Sequence, residues 1–566
     1  MSGGISGPLA GYQNGLREKV SKLAAEKFLE LAERSGVDVE ANRRLVAETD
    51  ALESQASSAR NRKILFGLLA AAGFVCAAVC AVKAHGGAEP LWPWIAGAAA
   101  GAAAGIAAIP FFRNVSKRLD DLRGRIAENK KAGWRQMEPL NRLYDWDIPA
   151  SLMEKAMPEI VFDPYFTERR FLSLGGLSGL DGSSDETKST LSTLTGVLNG
   201  SPFAFVRNLE MEWEEETYEG TKEISWTELE EGPDGKARRV RKYETLHAYV
   251  TKPVPAYYER TVLVYGNDGA PDLSFSRVPS GFTGKDGNLW SAIRKKWRLN
   301  RLDAYSRNLD DDSNFTLMGN KEFETWFHAK DRDDEVQFRL MFTPVAQVQM
   351  MSLMKDSAIG FGDDFAFIKR KKTNIIVPEH LRDAALGTDP ATFRSWNFDA
   401  AKAFFSDFNE RYFKNIYFTL APLLCIPLYQ ETEFKTAEEG GAGARDIPCR
   451  RECEAAANYC GEKRFKPEGC ITRCLLNTVR VPSGAGEDII EVTAHGYRGE
   501  ERVEWKEATG GDGKRHSIAV PWTEYLPVEK TSALRCMRRN AAGGREETGA
   551  QPTPGGRIFR DFILGG

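Results

Sequence analysis

Residues 64–82 read ILFGLLAAAGFVCAAVCAV, and after a short break residues 91–112 read LWPWIAGAAAGAAAGIAAIPFF. Neither run carries an acidic or basic side chain. A bilayer-spanning helix needs about 20 mostly apolar residues, because lipid offers the backbone no hydrogen-bond partners. Both runs meet that length. A buried hairpin in a soluble core is the competing reading, but two adjacent charge-free segments of this length disfavour it. A cleaved signal peptide fits worse, because Ile64 lies far from the N-terminus and a second apolar run follows. The expectation is a two-helix transmembrane hairpin over 61–113 attached to a large polar body.

Arg60, Arg62 and Lys63 precede the first run, and Arg113, Lys117 and Arg118 follow the second. The connection, 83–90, is short and holds Lys83, His85 and Glu89. Short Lys- and Arg-rich flanks stay cytoplasmic. This predicts a multi-pass membrane protein with both termini cytoplasmic. Trp92 and Trp94 fall where an interfacial aromatic anchor belongs. Gly97, Gly101 and Gly105 recur every four residues, on one helix face that a neighbouring helix can approach closely. That neighbour is either the first helix or a second copy of the chain. Pro110 is placed to kink or end the second helix.

The 566 residues leave room for two or more further domains, and a formal net charge of −4 does not suggest a nucleic-acid binder. Residues 1–60 read as a helical arm broken near Ser35-Gly36. Leu45, Leu52 and Ala56 share a face there, as in a short coiled coil or a packed helix pair. Residues 114–200 read as a continued helix with Val115, Leu119, Leu122 and Ile126 as its stripe, then a short helix between Pro149 and Pro158, then a Gly/Ser/Thr-rich loop of which a few residues could form a strand. Residues 201–430 read as an α+β soluble domain with antiparallel strands. Aromatic and β-branched residues alternate with charges through 208–231, with turns near Pro233-Asp234-Gly235 and Gly266-Asn267-Asp268-Gly269. The Glu-rich stretch 210–216 reads as a solvated sheet face rather than a metal or ligand site. A strand is expected at 323–327 and a helix from about Asp333, with Val336, Leu340, Val345, Val348 and Met351 on its buried side. Residues 365–377 read as two strands around a basic turn. The apolar run within 404–429, IYFTLAPLLCIPLY, is short for a span and reads as a buried segment rather than a re-entrant one. The fold class is therefore α+β.

These features resemble a bacterial membrane-protein family defined by a domain of unknown function, numbered 3137. The stretches IPASLMEKAMPEIVFDPYF, EFETWF, DDEVQFRLMFTP and FAFIKRKKTNIIVP carry the resemblance, which covers roughly residues 15–430. It implies an N-terminal helical region, two nearby membrane helices and a soluble domain. It brings no catalytic residues.

Five of the 9 cysteines fall between Cys449 and Cys474, in an insertion over 431–480. Cys449 and Cys453 are four apart, as are Cys470 and Cys474, and Cys460 lies between the pairs. Four thiolates would suit a tetrahedral structural zinc, with Cys460 as a further possible ligand. Disulfides, an iron–sulfur centre and unligated thiols are the alternatives. The expected cytoplasmic placement argues against stable disulfides. Residues 481–535 read as short strands with a turn at Gly511-Asp512-Gly513, and 536–566 as a disordered end. His328, His495 and His516 are isolated histidines without a motif.

No phosphate-binding loop, nucleophile elbow, zinc-protease helix or dinucleotide fingerprint is present. The favoured function is a membrane-anchored binding or scaffolding protein, with the lipid bilayer and a protein partner or second copy as its contacts. The alternative is a membrane-associated hydrolase, which would require Glu214, Glu216 and His247 to converge.

Overall fold

The computed structural model describes residues 7–85, 90–174, 186–231, 237–280, 318–329, 331–384, 386–387, 389–432, 434, 447–482, 487–538 and 562–565. It is an α+β protein whose chain divides into two compact units. One comprises Ser21–Asp145 and Pro390–Asn409, and is helical. The other comprises Met1–Val20, Trp146–Asp389 and Glu410–Gly566, and holds the sheets.

In the helical unit, α1 (Arg17–Ser35) ends where Gly36 adopts a left-handed φ of 65°, as the Ser-Gly break implied. Helices α2 (Val39–His85) and α3 (Leu91–Asn141) then run antiparallel. At 1.5 Å per residue each is about 70 Å long, more than twice a bilayer's hydrocarbon thickness. Both are long and apolar enough to cross a membrane. Within the apolar runs Ile64, Leu68, Val75 and Val82 of α2 and Trp92, Ile95, Ile106 and Phe111 of α3 are exposed. A hairpin folded into a soluble core would hide them. Helix α3 continues through Pro110 without ending.

Away from the apolar runs, Leu52 and Ala59 of α2 cluster with Leu119 and Leu122 of α3, with Ala56, Val115 and Ile126 at the margin. Lys130 pairs with Glu53 at 2.8 Å. The stripe of the arm and the stripe after the hairpin are thus two sides of one seam. The segment from Pro390 closes this unit. Asn42 donates from Nδ2 to the Trp396 carbonyl at 3.0 Å and accepts from the Phe398 amide at 3.0 Å. Asn141 makes the same reciprocal pair with Ser395. Phe28 packs against Phe398 and Phe405.

The sheet unit contains α4 (Ile148–Ala156), with Pro149 in its first turn as expected, then β1 (Ile160–Phe162) and α5 (Glu168–Ser173). The stretch read as a loop holds β2 (Lys188–Leu198). Its Ser and Thr residues pair with β3 (Ser201–Glu231), so strand partnership overrides their turn preference. Strand β4 (Ala237–Gly266) returns along the full length of β3. The Pro233-Asp234-Gly235 turn lies outside the described residues. With β5 (Ser274–Arg277), β6 (Phe365–Arg370) and β7 (Thr373–Pro378) these form an antiparallel seven-stranded sheet in the order β1-β2-β3-β4-β7-β6-β5. The basic turn between β6 and β7 is narrower than the basic run Lys369–Lys372, because Lys369 and Arg370 pair with Asn374 and Thr373 as strand residues and only Lys371 and Lys372 turn.

One face of that sheet buries Ala204, Val206, Val262, Val264, Ala366, Ile368, Ile375 and Val377 with Phe166 and Leu174. The alternate residues face the other way, and there Phe275 meets Phe327 of α6 (Lys321–Phe327), Phe338 of α7 (Glu335–Met341) and Phe342, which precedes α8 (Pro344–Lys355), while Phe367 packs on Phe275 and Phe327. The strand expected at 323–327 is therefore helix α6. Asn320 caps it by accepting from the Phe323 amide, and Phe323 and Phe327, four apart, stack at 5.0 Å. The buried side of the next helices also differs from expectation. Phe338, Met341, Phe342, Ala346, Met350, Leu353 and Met354 are buried with Met351, whereas Val336, Leu340, Val345 and Val348 are exposed. Thr343 caps α8 just before Pro344, so the chain resets its helical phase, and the aromatic residues take the inward face.

Helix α9 (Phe398–Leu424) runs through both units, and α10 (Pro427–Glu431) follows. Ile416, Tyr417, Leu420, Ala421, Leu423, Cys425 and Ile426 are buried, so this apolar run is a core segment. Beyond it lie α11 (Arg450–Tyr459), α12 (Glu462–Phe465), β8 (Leu475–Pro482), β9 (Glu487–Thr509), β10 (Arg515–Arg538) and β11 (Phe562–Gly565). The strands form a second antiparallel sheet, β11-β10-β9-β8. The expected short strands are one long hairpin that turns at Gly510–Lys514. The expectation of a disordered end is corrected at 536–538, which extend β10, and at β11, which pairs with it. Residues 539–561 lie outside the described residues.

The two long hairpins face each other. Ile224, Leu246, Ala248 and Val250 of β3 and β4 pack on Ile518 and Val520 of β10. Gly220 permits the crossing, because a Cβ there would lie 2.3 Å from the Ala519 carbonyl oxygen.

Candidate functional site

The glycine face of α3 is met by α2. A Cβ at Gly101 would lie 2.8 Å from the Gly73 carbonyl oxygen and 2.9 Å from the Ala77 amide nitrogen. A Cβ at Gly97 would lie 3.0 Å from Cys80 Sγ, and one at Gly105 would meet the Phe74 ring at 3.2 Å. Gly73 has the reciprocal relation to Gly101 and Gly105. The backbones therefore touch, as small residues allow between helices in lipid. The partner of the glycine face is thus the first helix. Gly73 is the member of this contact that periodicity did not single out, since the other glycine of its helix, Gly67, does not share its four-residue spacing.

In the sheet unit, the cysteine region is folded onto the sheets through buried polar contacts of α11. Glu454 accepts from the Thr190 amide at 3.1 Å, and Glu452 accepts from the Phe166 amide at 3.3 Å and from the Thr193 hydroxyl. Asn458 donates to Ser189 Oγ and to the Thr190 carbonyl, both at 2.8 Å. Burial raises the Glu454 carboxyl above the usual range. These contacts tie the region to the seven-stranded sheet, while its own β8 belongs to the second sheet.

The four expected zinc ligands are divided between two cores. Cys449 packs with Phe166, Ala204 and Ile375 against the seven-stranded sheet. Cys453 and Cys474 belong to a separate cluster with Ala456, Phe465, Leu476 and Val492, and Cys460 and Cys470 pack against its edge. Within that cluster Cys470 Sγ and Cys474 Sγ are 3.6 Å apart. Cys449, Cys460, Cys470 and Cys474 are thiols rather than halves of a disulfide. Burial pushes the thiols of Cys449 and Cys460 up, and that of Cys474 up to about 12, with Cys470 as a second cause. Each shift favours the thiol over the thiolate that a metal would require. Among the described residues, no group of three or more His, Cys, Asp or Glu side chains is placed to hold a metal ion.

Glu214, Glu216 and His247 do not converge. Glu214 accepts from the Tyr258 hydroxyl, and Glu216 stands opposite Lys252. His247 stands opposite Thr221, five residues farther along β3, and bonds Glu219 through Nδ1. His495 faces Glu529 at 3.8 Å, His516 Nε2 meets Asp512 at 3.0 Å, and His328 ends α6 in a left-handed conformation. The acidic stretch is partly paired, since Glu210 bonds Arg260 at 2.7 Å.

Two buried titratable clusters escaped the sequence reading. His380 Nδ1 meets Asp364 at 2.6 Å, while Nε2 lies 2.9 Å from both the Asn415 carbonyl and Thr419 Oγ1. Phe361 stacks on the imidazole at 4.0 Å. Thr419 is fully buried and donates to the Asn415 carbonyl, so this Asp-His-Thr row joins α9 to the sheet and offers no open hydroxyl to a substrate. Lys369 is also fully buried. Its Nζ donates to the carbonyls of Gly269 at 3.0 Å and Lys371 at 2.6 Å. Burial lowers its pKa to about 7, against the opposing pull of Asp268 and Asp333. The amine closes the turns at the ends of β4 and β6. Neither cluster has a sequence signature, because the partners lie in distant segments.

Compared with known protein families, curated proteins and solved structures, the chain finds no match.

Proposed function

We propose that this chain is a membrane-anchored binding or scaffolding protein of the family defined by the domain of unknown function numbered 3137. Helices α2 and α3 cross a bacterial inner membrane and leave both termini in the cytoplasm. The observation that carries this reading is the hairpin itself. Its helices are locked backbone to backbone at Gly73 and Gly101, yet they turn Ile64, Leu68, Val75, Val82, Ile95 and Ile106 outward. An apolar surface of that kind needs lipid. Because the glycine face is taken up within one chain, a second copy would have to meet another surface.

The binding role is supported by apolar side chains left outside the sheet unit's core. Val336 and Leu340 lie one turn apart on α7, and Val345 and Val348 share a face of α8. Val336 is 78% exposed and Val348 is 64% exposed. Apolar rows on consecutive helices suit a protein partner better than bulk water. The hydrolase alternative has no comparable support, since its three residues are separated. Cys449 and Cys453 lie in different cores, which disfavours a single four-thiolate zinc.

Alkaline carbonate extraction of bacterial membranes tests the anchor. The full chain should remain in the pellet and enter solution only with detergent. Release by carbonate alone would refute membrane spanning.

A further inference from the structure

We propose that Cys470 and Cys474 form a reversible dithiol–disulfide pair, oxidised by small disulfides of the glutathione class. Three observations point to this pair. Their sulfurs are already in contact at 3.6 Å. The contact does not come from helical spacing, because residues 469–474 lie outside any helix and the chain reverses at Gly469, with φ of 75°. Finally, the facing strand makes room for both sulfurs at one position. A Cβ at Gly496 of β9 would stand 2.5 Å from Cys470 Sγ and 3.1 Å from Cys474 Sγ.

The loop is held at both margins. The Ile471 amide donates to the Tyr497 carbonyl at 2.9 Å, and the Tyr497 amide donates to Thr472 Oγ1 at 3.0 Å. The Cys474 amide donates to Glu462 Oε1 at 2.7 Å. Two pinned thiols in contact have a high effective concentration for each other. Bond formation needs the sulfurs to approach by about 1.5 Å, within the reach of side-chain rotation.

The two thiols are unequal. Cys470 is partly exposed and Cys474 is buried. Cys470 therefore meets the oxidant first. Its thiolate attacks one sulfur of the small disulfide, breaks the S–S bond and expels one small thiolate, which takes up the proton Cys470 lost. Cys474 then gives up its proton and attacks Cys470 Sγ. The mixed disulfide breaks, and the second small thiolate leaves and is protonated. The protein loses two electrons and two protons, and one small disulfide becomes two thiols. In a reducing cytoplasm the pair rests as thiols and closes under oxidative challenge.

The test uses the full chain in detergent, equilibrated with reduced or oxidised glutathione, then alkylated and mapped by peptide mass spectrometry. In reduced glutathione both thiols should accept the alkylating agent. In oxidised glutathione the peptide spanning the pair should lose two hydrogens and resist alkylation. Cys474→Ser should stall with glutathione on Cys470, and Cys470→Ser should leave Cys474 unmodified. Cys453→Ser should oxidise as the wild type does. Circular dichroism on each variant establishes that the fold persists. Full alkylation of both thiols in oxidised glutathione would overturn the proposal. So would a bond from Cys470 to Cys453 or Cys460, or thiols in reduced glutathione that accept alkylation only after a chelator removes a metal.

Discussion

Replacing Gly101 with alanine places one methyl group 2.8 Å from the Gly73 carbonyl oxygen and 2.9 Å from the Ala77 amide nitrogen. Both are backbone atoms, so no rotamer change relieves the overlap and the helices must separate. A gap of about 0.5–1 Å already forfeits a quarter to a half of each dispersion contact along the seam. Overpacking of this kind costs about 1–3 kcal/mol. Alanine's better helix propensity returns about 1 kcal/mol. With backbone on both sides the cost should fall in its upper range, leaving a net loss of about 1–2 kcal/mol. Gly124 on the same helix is the control, since nothing lies within 4 Å of a Cβ there. Gly124→Ala should stabilise by about 0.5–1 kcal/mol. Cys80 provides the assay, because its sulfur lies against Gly97 and becomes reachable when the hairpin opens. Alkylation by a membrane-permeant maleimide should speed up about 5- to 30-fold in Gly101→Ala and more in Gly101→Ile. Gly124→Ala should leave the rate unchanged or slow it. A Gly101→Ala protein that labels no faster than wild type would refute the close contact.

Three further outcomes follow from the same reasoning. The proposed topology predicts that cysteines introduced at Ser57 and Lys131 resist an impermeant reagent applied to intact cells, and that one at Gly87 reacts; labelling at Ser57 would reverse the topology. Truncating Leu119 to alanine in the seam with Leu52 should cost about 2–5 kcal/mol, measured by denaturant unfolding in detergent; a loss below half a kilocalorie would show that the helix pair is not packed there. For Lys369, burial holds the folded pKa near 7, below the ordinary lysine value. Between those two values the unfolded chain binds a proton that the folded chain does not, so stability should rise as pH climbs from about 7 towards 10. Lys369→Met should flatten that rise in pH-dependent unfolding, and an unchanged slope would assign the rise to other groups.

Where burial is decided by a neighbour close in sequence or by a strong period, the sequence could be read. The charge-free runs, the break at Ser35-Gly36, the helix with Pro149 in its first turn and the turn at Lys371-Lys372 each depend on chemistry within a few residues. The errors came where two local signals compete. EFETWF has a strand former's composition, but Asn320 supplies a cap and the phenylalanines fall one turn apart, so helix wins. Val336, Leu340, Val345 and Val348 are apolar at plausible helical spacing. A larger aromatic set occupies the inward phase instead, and Phe275, Phe327, Phe338 and Phe342 meet ring to ring. Aromatic rings bury more area per residue than valine, so they determine which face turns in.

The cysteine region shows a different kind of limit. A spacing of four is consistent with one helical turn, and that inference placed each pair on a single face. At 449 and 453 the turn does exist, since the Cys453 amide donates to the Cys449 carbonyl at 3.1 Å. Cys449 is the capping residue, however, so its side chain leaves the helix towards the seven-stranded sheet while Cys453 turns to the other core. At 470 and 474 no helix forms, yet the sulfurs meet, because Gly469 reverses the chain and Gly496 stands opposite without a side chain. Equal spacings thus lead to opposite outcomes, decided by the capping position of Cys449 and by the two glycines rather than by the spacing of the cysteines. Gly496→Ala tests this directly. The added methyl would overlap both sulfurs, so disulfide closure at Cys470 and Cys474 should slow sharply while alkylation of Cys470 alone persists. Closure at the wild-type rate would mean that the sulfurs are brought together by something other than the space left by Gly496.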